Sequence, residues 1–275
     1  MARREAEPEA GSSRSIFRYI LYGCAATALL VTAMFLFQRT EQFLATNPRF
    51  ILAPPAEYGE DSPSLRIEGV RHASRAQIRQ VFAEDFGRSI YLCPLEKRRL
   101  ALLSVGWVKD ATVARYWPNR AAVRIVERQP VAFVPIRSSD PEAPMRAVLI
   151  DEEGVLLEAR SPGEFRLPVL LGVRPEDNRE MRRVRVRKML KFAAEVGAAA
   201  SQFSEIDVSV IENLKVTLPA GNRALTLILG SGNYQVKLSN FFANYAEVRR
   251  RLPDATVLDL RVEDRITAVE GPRGD

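Results

Sequence analysis

From Tyr19 to Phe37 the chain reads YILYGCAATALLVTAMFLF, without a charge and without a polar face at helical spacing. A helix of these residues reaches ~28 Å at ~1.5 Å per residue, close to the ~30 Å hydrocarbon core of a bilayer. The pattern predicts a transmembrane helix over 19–37. Beyond a proline-rich stretch the periods shorten. SLRIEGV (64–70) alternates as a strand does, and Ser74 can N-cap a helix through Phe86, with Gly87 suited to the left-handed residue past its end. Pro94 can open a second helix to about Leu103. WVKDATVARYW and AAVRIVE then read as two strands around a Pro118–Asn119 turn. The order β-α-α-β-β suits a small domain with helices on one face of a three-stranded sheet.

The pattern changes after Ala147. VLIDEEGVLL reads as a hairpin turning at Gly154; LPVLLGV follows, and then Asn178 to about Ala200 reads as a basic helix. SEIDVSV, LKVTLP and ALTLILG follow as short strands. Asn233 is a candidate N-cap for a long helix in which Tyr234, Leu238, Phe241, Tyr245, Val248 and Leu252 recur at steps of 4, 3, 4, 3 and 4. That spacing makes one apolar stripe against a sheet. ATVLDLRV and ITAV close the fold as strands. The expected class is α+β: a transmembrane helix, the β-α-α-β-β domain, then a mixed β domain with two helices. The expected boundaries are a cytoplasmic tail at 1–18, the membrane helix at 19–37, a linker at 38–63, domains at 64–134 and 135–269, and a disordered tail at 270–275.

Charge sets the direction of export. Arg3, Arg4, Arg14 and Arg18 precede the apolar run, so the positive-inside rule keeps that end in the cytoplasm. A cleaved signal peptide would have an apolar region of ~7–15 residues and an A-x-A-like site. Here the run is longer and QRTEQF follows at once. The net charge of +6 permits an anionic partner but equally a solvated surface. Cys24 lies in the anchor and Cys93 far along the exported part, so no bridge between them is expected.

Candidate chemistry is sparse, and an enzyme is the weaker class. His72 is the one histidine and reads as loop surface; without other His or paired Cys, a zinc site has no ligand set. Asp151, Glu152 and Glu153 adjoin in a turn, where carboxylates are normally solvated; catalytic pairs flank their substrate. GSGNYQVKL lacks the spacing of a phosphate-binding loop. MRRVRVRKMLK (181–191) is basic, but a solvent face explains it, and RGD at 273–275 carries no weight. In RYWPNRAAVRIVERQPVA, Arg115, Arg120, Arg124 and Arg128 interleave with Tyr116 and Trp117. Outside the membrane they meet no nucleic acid, so the segment reads as a closing hairpin with Glu127, Arg128 and Pro130 at a domain junction.

IEGV (67–70), GWV (106–108), V-x-R-x-W-P (113–118), ERQPVAF (127–133), LIDEEGV (149–155), LPVLLG (167–172) and LDLRV (258–262) occur in order. With the architecture, they make the chain resemble the bacterial cell division proteins of the FtsQ/DivIB family. The resemblance implies that 64–134 is a POTRA domain, and that the protein is a non-enzymatic divisome scaffold without cofactors. It implies an inner-membrane protein with periplasmic C-terminal domains, concentrated at the septum. It also implies partners among the small membrane proteins FtsB and FtsL and other divisome components, with an influence on septal peptidoglycan synthesis. The family's partner edge carries over to Asp259, Leu260, Arg261 and Val262, with Glu263, Asp264, Ile266 and Ala268 in a terminal strand from Glu263 to Ala268. Val262 stands where the family usually has tyrosine. An alternative is an anchored POTRA protein that binds exported polypeptides or cell-wall polymer.

Overall fold

The computed structural model describes residues 12–55, 62–136, 145–159, 162–221 and 223–269. Arg3 and Arg4, the linker at 56–61 and the tail at 270–275 with its RGD lie outside the described residues. Helix α1 runs Ser12–Thr46, with a candidate membrane span at Phe17–Thr46. It extends well past the expected end at Phe37, because Gln38–Thr46 holds no proline or glycine to break the ladder. Asn47 then accepts from the Arg49 amide and starts a 3-10 turn, Pro48–Phe50.

The chain clusters into two compact units, one of residues 1–69, 74–102 and 111–125, the other of 70–73, 103–110 and 126 onward. The first contains β1 (Leu65–Glu68), α2 (Arg75–Val81) and α3 (Leu95–Leu102). Strands β2 (Val108–Tyr116) and β3 (Arg120–Glu127) complete a three-stranded sheet in the order β1-β3-β2. β1 and β3 are parallel, Leu65 opposite Ala121 and Glu68 opposite Arg124. Along β3, Ala121, Val123 and Ile125 are buried while Arg120 and Arg124 are exposed, the period-2 alternation of a half-buried strand.

Ser74 caps α2 as expected, accepting from the Gln77 amide, but the helix stops at Val81 and not at Phe86. From there the chain tightens into i→i+3 bonds, Phe82 N–H to Arg79 O and Asp85 N–H to Phe82 O. This turn buries Phe82 and aims Asp85 at Arg98, which donates from Nε to one carboxylate oxygen at 2.6 Å and from Nη2 to the other at 3.1 Å. A helix continued to Phe86 would have to give up that buried bidentate pair.

The second unit is built on a nine-stranded sheet. Its strands are β4 (Pro130–Ile136), β5 (Arg146–Asp151), β6 (Leu156–Leu157), β7 (Val169–Leu171) and β8 (Glu205–Asp207). β9 (Leu214–Ala220), β10 (Arg223–Gly230), β11 (Val257–Asp259) and β12 (Thr267–Ala268) follow. The spatial order is β12-β11-β10-β9-β8-β7-β4-β5-β6. The expected boundary at 134/135 falls inside β4, all of which joins this unit.

Helix α4 (Arg179–Val196) is capped by Asn178 and contributes Val186, Met189 and Phe192 to the core. The expected long helix is two, α5 (Tyr234–Ala243) and α6 (Tyr245–Arg251). Asn244 separates them. Its side chain donates to Asn240 O, the local bonding by which asparagine competes with helix. The apolar stripe survives the break: Tyr234, Leu238 and Phe241 are core residues, and Tyr245, Val248 and Leu252 pack against them.

Asn233 is not the side-chain cap expected of it. It sits at φ 52° after Gly230 and Gly232, both at φ 68°, and makes no capping bond. The left-handed entry turns its amide away from the helix, and Glu195 of α4 accepts from the Tyr234 amide at 2.6 Å instead.

Candidate partner-binding edge

β12 is the last strand on its side of the nine-stranded sheet, so among the described residues its outer backbone groups have no strand to pair with. β11 pairs parallel with β10 and antiparallel with β12, Leu258 opposite Ala268 and Asp259 opposite Thr267. The Val269 amide donates to Val257 O at 3.0 Å, while the Leu260 amide donates the other way, to Ile228 O at 2.9 Å. Antiparallel ladders alternate bonded and non-bonded pairs, so Leu258–Ala268 is a non-bonded pair. The amide and carbonyl of Ala268 therefore point away from the sheet. This is one open donor–acceptor pair in extended backbone.

The segment leading to that edge is a fold-back and not the continuous strand expected from Glu263 to Ala268; only Thr267–Ala268 is paired. Asp259 accounts for the turn. It accepts from the Arg261 amide at 2.9 Å, and from Arg261 Nε and Nη2 at 3.0 and 2.6 Å. Those bonds direct the backbone out of β conformation, and the Arg265 amide closes onto Val262 O. The guanidinium of Arg261 holds the Asp259 carboxyl below its ordinary range, against the opposing effect of burial.

Neighbouring groups fix the fold-back. Leu260 is buried. Glu263 accepts from Asn233 through its carboxylate and from Asn240 through its carbonyl, tying the turn to one face of α5. Val236 shares that helix face and is exposed. Under the turn, buried Lys237 donates from Nζ to Leu229 O at 2.9 Å and Gly232 O at 3.1 Å, holding the β10–α5 loop. A side chain on Gly230 would stand 3.1 Å from the Arg261 Cγ, so glycine there lets Arg261 lie against the loop.

The structure thus brings most of the sequence candidates to one rim. Val262 is 58% exposed, Arg261, Glu263, Asp264 and Ala268 are exposed, and Ile266 packs partly on the core. Asn233 was singled out from sequence only as a helix cap, and Val236, Lys237 and Asn240 not at all. Only their 3- and 4-residue spacing on α5, opposite the apolar stripe, could have grouped them.

Other expectations are corrected. His72 is not plain loop surface: its ring stacks on Trp107 at 5.0 Å and lies 5.2 Å from Phe165. Asp151 is not solvated. It is buried, accepts from the Glu153 and Val155 amides, and pairs with Arg128 Nη1 at 2.7 Å. Arg128 also meets Glu153, which Arg179 holds from α4, while Glu152 stays outside and pairs with Lys109. Glu127 accepts from the consecutive amides of Arg71, His72 and Ala73 at 2.7–2.9 Å, closing the loop after β1. Arg115 is exposed but engaged; its guanidinium donates to the carbonyls of Ile90, Tyr91 and Cys93. Among the described residues, no group of three or more His, Cys, Asp or Glu side chains is placed to hold a metal ion.

A candidate membrane span, a small α/β unit and a larger nine-stranded sheet fit a single-pass membrane protein. The comparisons give that class a family. Residues 63–128 match the model of the POTRA domain, FtsQ-type, and 143–261 that of the cell division protein FtsQ/DivIB C-terminal region. The chain is 31% identical over 213 residues to the cell division protein FtsQ of Koribacter versatilis, covering 75% of this chain and 59% of that one. It is 25% identical over 219 residues to FtsQ of Myxococcus fulvus, covering 77% and 68%. With FtsQ of Bordetella pertussis it shares 36% identity over 91 residues, about a third of each chain. The chain belongs to the FtsQ/DivIB family of cell division proteins.

Proposed function

We propose that this protein is a non-enzymatic scaffold of the division machinery, anchored by α1 in the inner membrane with its N-terminus in the cytoplasm. In this reading the POTRA unit and the nine-stranded unit lie in the periplasm, concentrated at the septum. The observation that carries it is the open backbone pair of Ala268 at the edge of the sheet. An extended segment of a small bitopic division protein, FtsB- or FtsL-like, adds a strand there. Backbone pairing supplies affinity and alternate side chains supply specificity. Val262 and Val236 supply exposed apolar surface beside the edge, in place of a large aromatic anchor. Holding that partner is how the scaffold would influence septal peptidoglycan synthesis.

Pull-down of the small division proteins by the full chain tests the reading. Arg261→Glu sets two carboxylates against each other at the turn, and Val262→Lys charges the exposed apolar position; both should reduce capture. Capture at the unaltered level by both variants would refute the edge assignment. Depletion in cells should give filaments.

A further inference from the structure

The POTRA unit carries an aromatic and basic surface next to the place where α1 leaves its apolar stretch. The ring of Phe43 in α1 meets Phe50 edge-on at 5.9 Å, and Phe50 meets Trp117 edge-on at 5.4 Å. Two further bonds lock the helix end to the unit: Ser89 Oγ donates to Leu44 O at 2.6 Å, and the Tyr91 hydroxyl to Glu41 at 3.0 Å. These bonds make the unit a continuation of α1 and seat Trp117 close to the end of the helix. Phe43 lies six positions past Phe37, ~9 Å along the axis. The headgroup layer on each side of the hydrocarbon is ~5–8 Å thick. The end of α1 against which Phe50 and Trp117 are seated therefore lies at about the outer surface of the lipid headgroups.

Its surroundings suit that level. Phe43, Tyr116 and Trp117 are all more than half exposed. Trp117 and Tyr116 form one end of a groove of about 730 Å³ on the outer face of the three-stranded sheet, lined also by Arg66, Arg120, Arg124 and Glu68. Glu68 pairs with Arg66 at 2.6 Å and with Arg124 at 3.7 Å, so one carboxylate is shared between two guanidiniums. With Arg120 and Arg124 exposed, the groove keeps an excess of positive charge. Arg49, beside Phe50, is exposed as well. Amphipathic rings favour the membrane–water interface, and basic side chains favour anionic headgroups.

We propose that the Tyr116–Arg124 face of the POTRA sheet docks on the anionic phospholipid headgroups around α1, with Trp117 at the interface and Arg120 and Arg124 on the lipid phosphates. The contact fixes the angle at which the POTRA unit stands on the membrane. It rests on the reading of α1 as a membrane span.

The test uses the full chain in nanodiscs of phosphatidylcholine with or without phosphatidylglycerol, and tryptophan quenching by lipids spin-labelled at the headgroup or deep in the acyl chain. Trp107 and Trp117 are the only tryptophans. Trp117 emission is taken as the difference between the unaltered chain and Trp117→Phe, and checked in a Trp107→Phe chain. Headgroup label should quench Trp117 more than acyl label does, and phosphatidylglycerol should strengthen the effect. Arg120→Gln or Arg124→Gln should lower the ratio of docked to undocked molecules about fivefold each, the equivalent of about 1 kcal/mol per basic residue. Co-elution of the chain with the disc reports the span separately. Disc-bound protein whose Trp117 is quenched no better by headgroup label than by acyl label, or equally with and without anionic lipid, overturns the docking and leaves the anchor standing.

Discussion

Arg261 folds back on Asp259, two residues before it, with three of its nitrogens on the one carboxylate. This contact bends the chain between β11 and β12 and so decides where the open edge lies. Because Arg261 holds the Asp259 carboxyl low, the folded-state pKa lies below the unfolded one. The contribution is therefore present above the ordinary carboxylate range and is lost as pH falls through the depressed value. Carbon-13 titration of Asp259 should show that low midpoint, and Arg261→Gln should raise it. An unchanged midpoint in the variant would detach Arg261 from the turn.

Arg128 and Asp151 form a second pair of greater consequence for stability. Their side chains are 10% and 3% exposed. Arg128→Met strands a buried carboxylate and should cost about 3–5 kcal/mol in denaturant unfolding. Adding Asp151→Asn removes the stranded charge and should recover part of the loss. A single variant as stable as the unaltered chain would contradict the pairing.

Cys93 is buried, and burial, reinforced by Asp85, pushes its thiol up to about 11 from 9.0. The folded protein keeps a proton that the unfolded chain gives up, so this contribution is whole below pH 9 and fades as pH rises toward about 11. In a Cys24→Ser chain at neutral pH, Cys93 should react with a thiol reagent only on unfolding. Prompt modification of the native protein would contradict its burial.

The sequence carried the elements wherever periodicity and caps agreed. The apolar run of α1, the alternation of β3, the Ser74 cap and the start of α4 at about Asn178 all stand where expected. It failed where a long-range partner outweighed a local preference. Arg98 lies 13 residues from Asp85, and its pull on that carboxylate shortens α2. Glu195, 39 residues from Tyr234, takes the capping role that local rules give to Asn233. Arg128 draws Asp151 out of solvent for the same reason. ITAV was legible as a closing strand. Its role as a candidate partner edge was legible only through the family resemblance, because a two-residue pairing leaves no pattern that marks an open edge. Its supporting face on α5 was hidden behind the stronger apolar stripe.

The central claim is that a partner's strand pairs with β12 at Ala268. Hydrogen exchange of the Ala268 amide, followed with and without the periplasmic segment of an FtsB-like protein, reads that bond itself. The amide should exchange freely in the unbound chain and become protected in the complex. Val269, already bonded to Val257, should gain less. Binding that leaves Ala268 exchanging as fast as before would contradict the account.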